Sequence, residues 1–319
     1  MKYSFVIPCY RSEKTIEIVV EEIKEQVKSL KIEDYEVILI NDCSPDNVWN
    51  VIQSLAEKDS HIRGINLAKN FGQHAALLAG YAQSRGNVVV SLDDDGQAPV
   101  DELDKLLACL SEGKDVVYAY YEEIKQNAFR RFGSYVATKM SHIMLGAPND
   151  FKGSSFYVAK KFIIDEIVKY NNPYPYLLGL ILRTTRKIGY VQTRHRSRLE
   201  GTSGYTLRSL LGLWLNGFTA FSVKPLEFGT WVGVLFAFLG FAGGIVTIIR
   251  KLLNPAIVAG WSSMTSILLF VGGMIMLMLG LIGEYIGRIY ICINRAPQYV
   301  IRETTEQSSE QKYEERQDV

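Results

Sequence analysis

The chain has 319 residues, with 35 Lys and Arg against 34 Asp and Glu, for a net charge of +1. It therefore presents no global field that would draw nucleic acid, and its length suits one large domain or two modest ones. Its four cysteines, Cys9, Cys43, Cys109 and Cys292, are widely spaced and form no Cys-x-x-Cys pair, which argues against a disulfide framework or a zinc site and fits a reducing compartment. The apolar run after Lys2 reaches only from Tyr3 to Pro8, too short for the core of an export signal and suited to a buried strand. Residues 1–225 are accordingly expected in the cytosol. Tyr3–Ile7 reads as a strand, Glu13–Leu30 as a helix with Ile16, Val19, Val20, Ile23 and Val27 on one face, and Tyr35–Ile40 as a second strand. Trp49–Lys58 reads as a helix, Ile62–Leu67 as a strand, Gln73–Ser84 as a helix and Asn87–Leu92 as a fourth strand. This alternation predicts an α/β domain with a parallel, doubly wound sheet, whose ligands bind at the carboxyl ends of the strands.

Further along, Phe129–Leu145 mixes Arg130, Arg131 and Lys139 with aromatic and aliphatic residues, and Leu207–Val223 carries Leu, Trp and Phe with few charges. Both read as helices at a membrane surface (129–145 and 207–223), the first equally as an ordinary amphipathic core helix. Phe228–Ile249 and Met264–Ile282 contain no charged residue. At 1.5 Å per residue the first is about 33 Å long, enough to cross a bilayer. The expected organisation is a cytosolic domain over 1–225, a two-helix transmembrane region over 226–287, and a cytosolic segment over 288–319 with a disordered tail from Glu303. Two spans place both termini on the cytosolic side of the cell membrane. Gly229/Gly233, Gly240/Gly244 and Gly283/Gly287 are small-residue pairs of the kind that lets membrane helices pack closely, within a chain or in a homo-oligomer.

The chemistry concentrates at strand ends. Ser91-Leu92-Asp93-Asp94-Asp95-Gly96-Gln97 follows the fourth strand. Three adjacent carboxylates repel one another and call for a cation or for solvent. If the segment is extended, Asp93, Asp95 and Gln97 share a face and Asp94 points away. Such a face suits Mg²⁺ or Mn²⁺, which retain sites for phosphate and water. The competing reading is a solvated acidic turn that caps the next helix. Asn41-Asp42-Cys43-Ser44-Pro45-Asp46 ends the second strand, where Asp42 reads as a nucleotide contact or as an Asx-turn. Pro8-Cys9-Tyr10 ends the first, where a backbone turn and an aromatic ring can hold a base, or a plain strand-to-helix turn stands.

With these residues in view, the chain resembles the inverting glycosyltransferases of family two, which have the GT-A (Rossmann-like) fold. Within them it is similar to dolichyl-phosphate mannosyltransferases and to bacterial polyprenyl-phosphate and undecaprenyl-phosphate glycosyltransferases, from Met1 to about Arg302. The resemblance implies that Pro8, Tyr10, Asp42 and the acidic cluster, Asp93 and Asp94 included, hold a nucleotide-sugar. It implies that Asp93, Asp95 and Gln97, matching the family's Asp-Ala-Asp-Leu-Gln, hold Mg²⁺ or Mn²⁺, with Asp95 catalytic. Asn149-Asp150-Phe151 resembles the segment whose aspartate lies near the acceptor and serves as base. Arg198-Leu199-Glu200-Gly201-Thr202-Ser203-Gly204-Tyr205 resembles Arg-x-x-Gly-x-Ser-Lys/Asn-Tyr, whose arginine reaches a phosphate; Arg130, Arg131 and Ser203 join it as acceptor or phosphate contacts. Glu13 stands near the family's glutamate in Arg11-Ser12-Glu13, Gly204 replaces a common lysine, and Asn41 a common first aspartate.

The implied reaction is metal-dependent transfer of a sugar from a nucleotide, UDP by analogy with the bacterial relatives, to polyprenyl phosphate at the cytoplasmic membrane face. A processive polysaccharide synthase is the nearest rival, although no Gln-x-x-Arg-Trp motif is present. A non-catalytic membrane scaffold derived from a transferase is the rival from another class. A nucleotidyltransferase would show a Gly-rich basic loop after the first strand, where Pro8-Cys9-Tyr10-Arg11 stands instead.

Overall fold

The computed structural model describes residues 2–121, 151–172, 175–194, 196, 224–253, 260–294 and 297–306. The chain divides into two compact units: Met1–Leu211 together with Arg295–Val319, and Gly212–Asn294.

The first unit is built on strands β1 (Tyr3–Cys9), β2 (Tyr35–Asn41), β3 (Ile62–Leu67), β4 (Val88–Ser91), β5 (Val116–Tyr121), β6 (Tyr157–Lys160), β7 (Ile188–Thr193) and β8 (Ile301–Thr304). They form one sheet in the order β7-β5-β6-β4-β1-β2-β3-β8. β1 pairs in parallel with β2 and β4, β2 with β3, and β5 with β7, whereas β6 and β8 run antiparallel to their neighbours. The sheet is mostly parallel, as the alternation of strands and helices predicts, with β6 and β8 as antiparallel members. Helices α1 (Ile16–Ser29), α2 (Val48–Lys58) and α3 (Gln73–Gln83) match the expected segments, α4 (Leu103–Ser111, preceded by a 3₁₀ turn) follows β4, and α5 (Lys161–Val168) and α6 (Leu177–Thr184) follow β6.

The strands are buried on both faces, which is why they read as continuous apolar runs. Phe5, Val6, Ile7, Val37, Ile38, Leu39 and Ile40 are all fully buried. Pro8 interrupts this run without breaking a ladder bond. Asp42 N–H donates to the Cys9 carbonyl on the β2 side, and Leu92 N–H to the Val6 carbonyl on the β4 side. Backbone alternation then turns Pro8 toward β4, beyond the last β1–β4 register pair, Val6 with Ser91. Gly80 lets α3 lie directly on the sheet: a Cβ there would stand 2.5 Å from a Val6 methyl and 2.7 Å from the Ile40 Cδ1.

β8 corrects the expectation of a disordered tail from Glu303. Glu303 and Thr304 belong to a strand that pairs with β3. Asn41 Nδ2 donates to Asn66 Oδ1 at 2.9 Å, and Asn66 Nδ2 to Glu303 Oε1 at 2.7 Å, a polar ladder across β2, β3 and β8. Arg63 joins the nearly buried Glu36 at 2.9 Å and also pairs with Glu306. Residues 307–319 lie outside the described residues.

The second unit contains α7 (Lys224–Leu253) and α8 (Trp261–Ile293). Both expected spans fall inside these helices. Among the described residues one stretch is long and apolar enough to cross a membrane, Phe270–Ile293, and none of it is buried; the apolar stretch of α7, Gly229–Gly243, is shorter. Phe238, Phe241, Leu252, Leu253 and Met276 are among the exposed apolar side chains. Of the glycine pairs, Gly229 faces Met278, whose methyl would be 2.8 Å from an added Cβ, whereas Gly233, Gly283 and Gly287 have open space.

Candidate active site

β1 to β4 run parallel, so their carboxyl ends gather on one edge, and three loops there are tied by side chain to backbone bonds. Asp94 Oδ2 accepts from Tyr10 N–H at 2.9 Å. Ser44 Oγ accepts from Arg11 N–H at 2.7 Å, Asp46 Oδ2 from Glu13 N–H at 3.0 Å, and Glu13 Oε2 from Asn47 N–H at 2.9 Å. Glu13 and Asp46 thus clamp the loops after β1 and β2 reciprocally. Arg11 (φ 60°) and Cys43 (φ 48°) sit in the left-handed region, a strain of order 1 kcal/mol each that the clamp sustains. The Tyr10 ring stays 44% exposed with the Arg11 guanidinium 5.5 Å from its centre, so an apolar face with a cation above it stands at the end of the central strand.

The acidic cluster is a turn rather than an extended segment. β4 ends at Ser91, and Gly96 turns the chain at φ 72°. The alternation argument therefore does not apply, but its result for Asp94 is reached by another route: Asp94 turns to the β1 loop. Burial pushes its carboxyl up to about 6, against the lowering bond from Tyr10 N–H. Asp95 Oδ1 accepts from Gln97 N–H at 3.0 Å, closing the turn, and Asp93 Oδ1 accepts from Gln73 Nε2 at 2.7 Å. Tyr121, at the end of β5, is pushed up to about 12, by burial first and then by Asp93 and Asp95. A protonated phenol therefore lies within electrostatic reach of both carboxylates.

Asp42 is placed differently from a simple Asx-turn. Its two oxygens accept from Phe71 N–H at 2.7 Å and Gly72 N–H at 2.8 Å, in the loop between β3 and α3. Burial nonetheless raises its carboxyl above the ordinary value. Gln97 donates through Nε2 to the Arg196 carbonyl at 3.3 Å. Arg196 in turn pairs with Glu22 at 2.8 Å and Asp101 at 2.6 Å, and Arg194 with Glu102 at 2.6 Å. Burial alone would raise the Glu102 carboxyl, but Lys105 and Arg194 hold it at about 2. These pairs fix the chain that leads toward Arg198.

Among the described residues no three His, Cys, Asp or Glu side chains form a metal-binding group. By residue type, Asp93, Asp95 and the Gln97 amide supply a donor complement of two acids and one neutral oxygen. It does not suit a structural zinc site. It does fit Mg²⁺ or Mn²⁺, which take one or two carboxylates and complete their shell with water and substrate phosphate.

A sequence model of glycosyl transferase family 2 matches residues 4–167, about half of the chain and the part that holds every strand end described above. The chain belongs to glycosyl transferase family 2. It is a glycosyltransferase, and a second model, the GtrB C-terminal hairpin, matches residues 224–289. Similar family members include the undecaprenyl-phosphate 4-deoxy-4-formamido-L-arabinose transferase of Proteus mirabilis (strain HI4320), 32% identical, covering 94% of this chain and 93% of that protein. The uncharacterized glycosyltransferase YkcC of Bacillus subtilis (strain 168) is 30% identical over 95% and 94% of the two chains. Among solved structures, glucosyl-3-phosphoglycerate synthase from Mycobacterium tuberculosis, in complex with Mn²⁺ and UDP-glucose, superposes with a TM-score of 0.51 at 20% identity, covering 68% of this chain and 77% of that one. At that identity the likeness carries the fold.

In this glycosyltransferase Pro8, Tyr10, Glu13, Asp42, Asp93, Asp94, Asp95 and Gln97 gather at one edge of the sheet. Asp150, Arg130, Arg131, Arg198 and Ser203 lie outside the described residues, as do the stretches 129–145 and 207–223. Gln73, bonded to Asp93, and Tyr121, within electrostatic reach of Asp93 and Asp95, stand beside the acidic turn without having been expected there. Gln73 had a usable signal, since Asn70-Phe71-Gly72-Gln73 also follows a parallel strand. Tyr121 had none, because no local pattern aims β5 at the acidic turn.

Proposed function

We propose that this glycosyltransferase moves a sugar from a nucleoside diphosphate, UDP in preference to GDP, onto undecaprenyl phosphate at the cytoplasmic face of the membrane. One observation carries the donor half: the turn bearing Asp93 and Asp95 is bonded through Asp94 to the backbone of Tyr10, so a diphosphate at the acids and a base at the exposed ring occupy neighbouring strand ends. A divalent ion on Asp93, Asp95 and Gln97 would offset the charge that develops on the leaving diphosphate. The acceptor half is supported by the Proteus mirabilis relative, which is named for undecaprenyl phosphate.

A phosphate monoester has a second pKa of about 6 and is largely ionised near pH 7. It needs no strong base, so Asp150 orients the acceptor at least as much as it removes a proton. Arg198 and Arg131 offset the charge of two phosphates brought together, and Arg130 and Ser203 hold the acceptor phosphate. In-line attack inverts the anomeric centre.

Two membrane spans are part of this reading. β8 belongs to the same sheet as β1, so the chain leaves the first unit and returns to it, and a crossing by α8 requires a second crossing. The match of residues 224–289 to a hairpin supports the same count.

Thermal unfolding in detergent with UDP or GDP, each with and without Mn²⁺, tests the donor half. UDP with Mn²⁺ is expected to raise the midpoint more than either alone and more than GDP with Mn²⁺. Absence of any metal-dependent shift would leave a non-catalytic scaffold as the better reading.

A further inference from the structure

We infer that Gln73 is the positioning residue for Asp93, and that Asp42 acts on the same carboxylate through the loop that carries Gln73. The inference rests on the proposal that Asp93 is a metal ligand. Three strand ends are linked in one hydrogen-bonded chain. Asp42, after β2, holds Phe71 N–H at 2.7 Å and Gly72 N–H at 2.8 Å. Gly72 takes φ 89°, a conformation that side chains other than glycine rarely adopt, and Gln73 then opens α3. Its Nε2 donates to Asp93 Oδ1 at 2.7 Å, after β4.

The chemistry of the donor matters. A carboxylate on a turn rotates about its last torsion, and a hydrogen bond to one oxygen fixes the plane in which it meets a cation. An amide supplies that bond without a charge, so the negative charge that attracts the ion is kept. A lysine or arginine at position 73 would orient the carboxylate and neutralise it together. Outer partners of this kind tune metal affinity by roughly 10–100-fold. Asp42, with both oxygens engaged by backbone N–H groups of the loop, is on this account an anchor of the metal site, in addition to any contact it makes with nucleotide.

The test uses the full chain in detergent with UDP, and Mn²⁺ as the probe, its free concentration read by electron paramagnetic resonance. Gln73→Met keeps the length of the side chain and removes the donor. It is expected to weaken Mn²⁺ binding about 10-fold and to raise the Mn²⁺ needed for half-maximal transfer by the same factor. Transfer at saturating Mn²⁺ should return to within about twofold of the unmodified protein, a rescue that general damage to the fold would not give. Asp42→Asn, which puts an N–H group against a loop N–H, serves as the second variant and should move Mn²⁺ affinity in the same direction. Unchanged Mn²⁺ affinity in Gln73→Met, with affinity lost in Asp93→Asn, would overturn the positioning role alone. Unchanged affinity in Asp93→Asn would overturn the underlying assignment of Asp93 as a ligand.

Discussion

Replacing Asp95 with asparagine is expected to lower the rate of sugar transfer by about a thousandfold, since loss of charge stabilisation worth several kcal/mol at the leaving group costs a factor of ten for every 1.4 kcal/mol. The substitution is nearly isosteric and keeps an oxygen able to accept from Gln97 N–H, the bond that closes the turn. Fold and turn geometry should therefore persist, and only the charge presented to the cation changes. Asp94→Ala, which removes the acceptor, provides the contrast. Asp94 is bonded to the Tyr10 backbone, so its loss should disturb the seat of the nucleotide base and appear mainly in the KM for the donor. The decisive comparison is steady-state transfer by the two variants at saturating Mg²⁺ or Mn²⁺. Near-normal kcat in Asp95→Asn would remove the metal from the account.

The second large effect concerns stability. Arg63→Met is expected to destabilise the first unit by about 3 kcal/mol, as breaking one side of a buried ion pair does. Arg63 and Glu36 are 11% and 4% exposed and 2.9 Å apart. Glu36 would keep its bonds from Ser4 Oγ at 2.6 Å and Arg85 N–H at 2.6 Å, while Glu306 would lose its partner on β3. Burial would raise the Glu36 carboxyl, yet the bonds from Ser4, Arg85 and Arg63 hold it below the ordinary 4.5. A carboxyl depressed in the folded state adds stability above its unfolded pKa, and that stability fades as pH falls through the folded value. The gap between the unmodified protein and Arg63→Met should therefore be widest near pH 7 and narrow below about pH 4.5. Thermal midpoints at pH 7 and pH 4 measure this; a difference of roughly 6–12 °C is expected at pH 7 for a unit of this size. Equal midpoints at pH 7 would show that the pairing of Arg63 with Glu36 and Glu306 does not stabilise the first unit.

The elements legible in the sequence were those whose burial is uniform. β1 to β4 and α1 to α3 agree with the expected segments to within a few residues, because parallel strands covered on both faces read as unbroken apolar runs and the helices between them carry a clear period. β6 is four residues long and enters antiparallel between β4 and β5, a placement no local pattern encodes. β8 escaped because Ile301–Thr304 is an edge strand, largely half-exposed and polar in sequence; its place follows from partners more than two hundred residues away, such as Asn66 for Glu303.

The site divides in the same way. Strand ends rich in Asp, Asn and Tyr were visible, because ligands of such sheets gather there. The partners of each carboxylate were not. The assignment of Asp94 away from Asp93 and Asp95 came from assuming an extended chain, whereas a turn at Gly96 and a bond to Tyr10 produce it. Asp42, read as an Asx-turn or a nucleotide contact, holds a loop beyond the neighbouring strand. Hydrogen bonds between loops depend on how strands are ordered in the sheet, and that order is a tertiary fact.

The central claim is that the sugar goes to a lipid phosphate. Its most direct test offers the purified protein undecaprenyl phosphate and undecaprenol side by side, with a panel of UDP- and GDP-sugars and Mg²⁺ or Mn²⁺, and reads the lipid products by mass spectrometry. The account predicts one glycosyl unit joined to undecaprenyl phosphate, with a UDP-sugar as donor and only when the metal is present. Sugar found on undecaprenol, a ladder of added sugars, or transfer that persists in a metal chelator would contradict it.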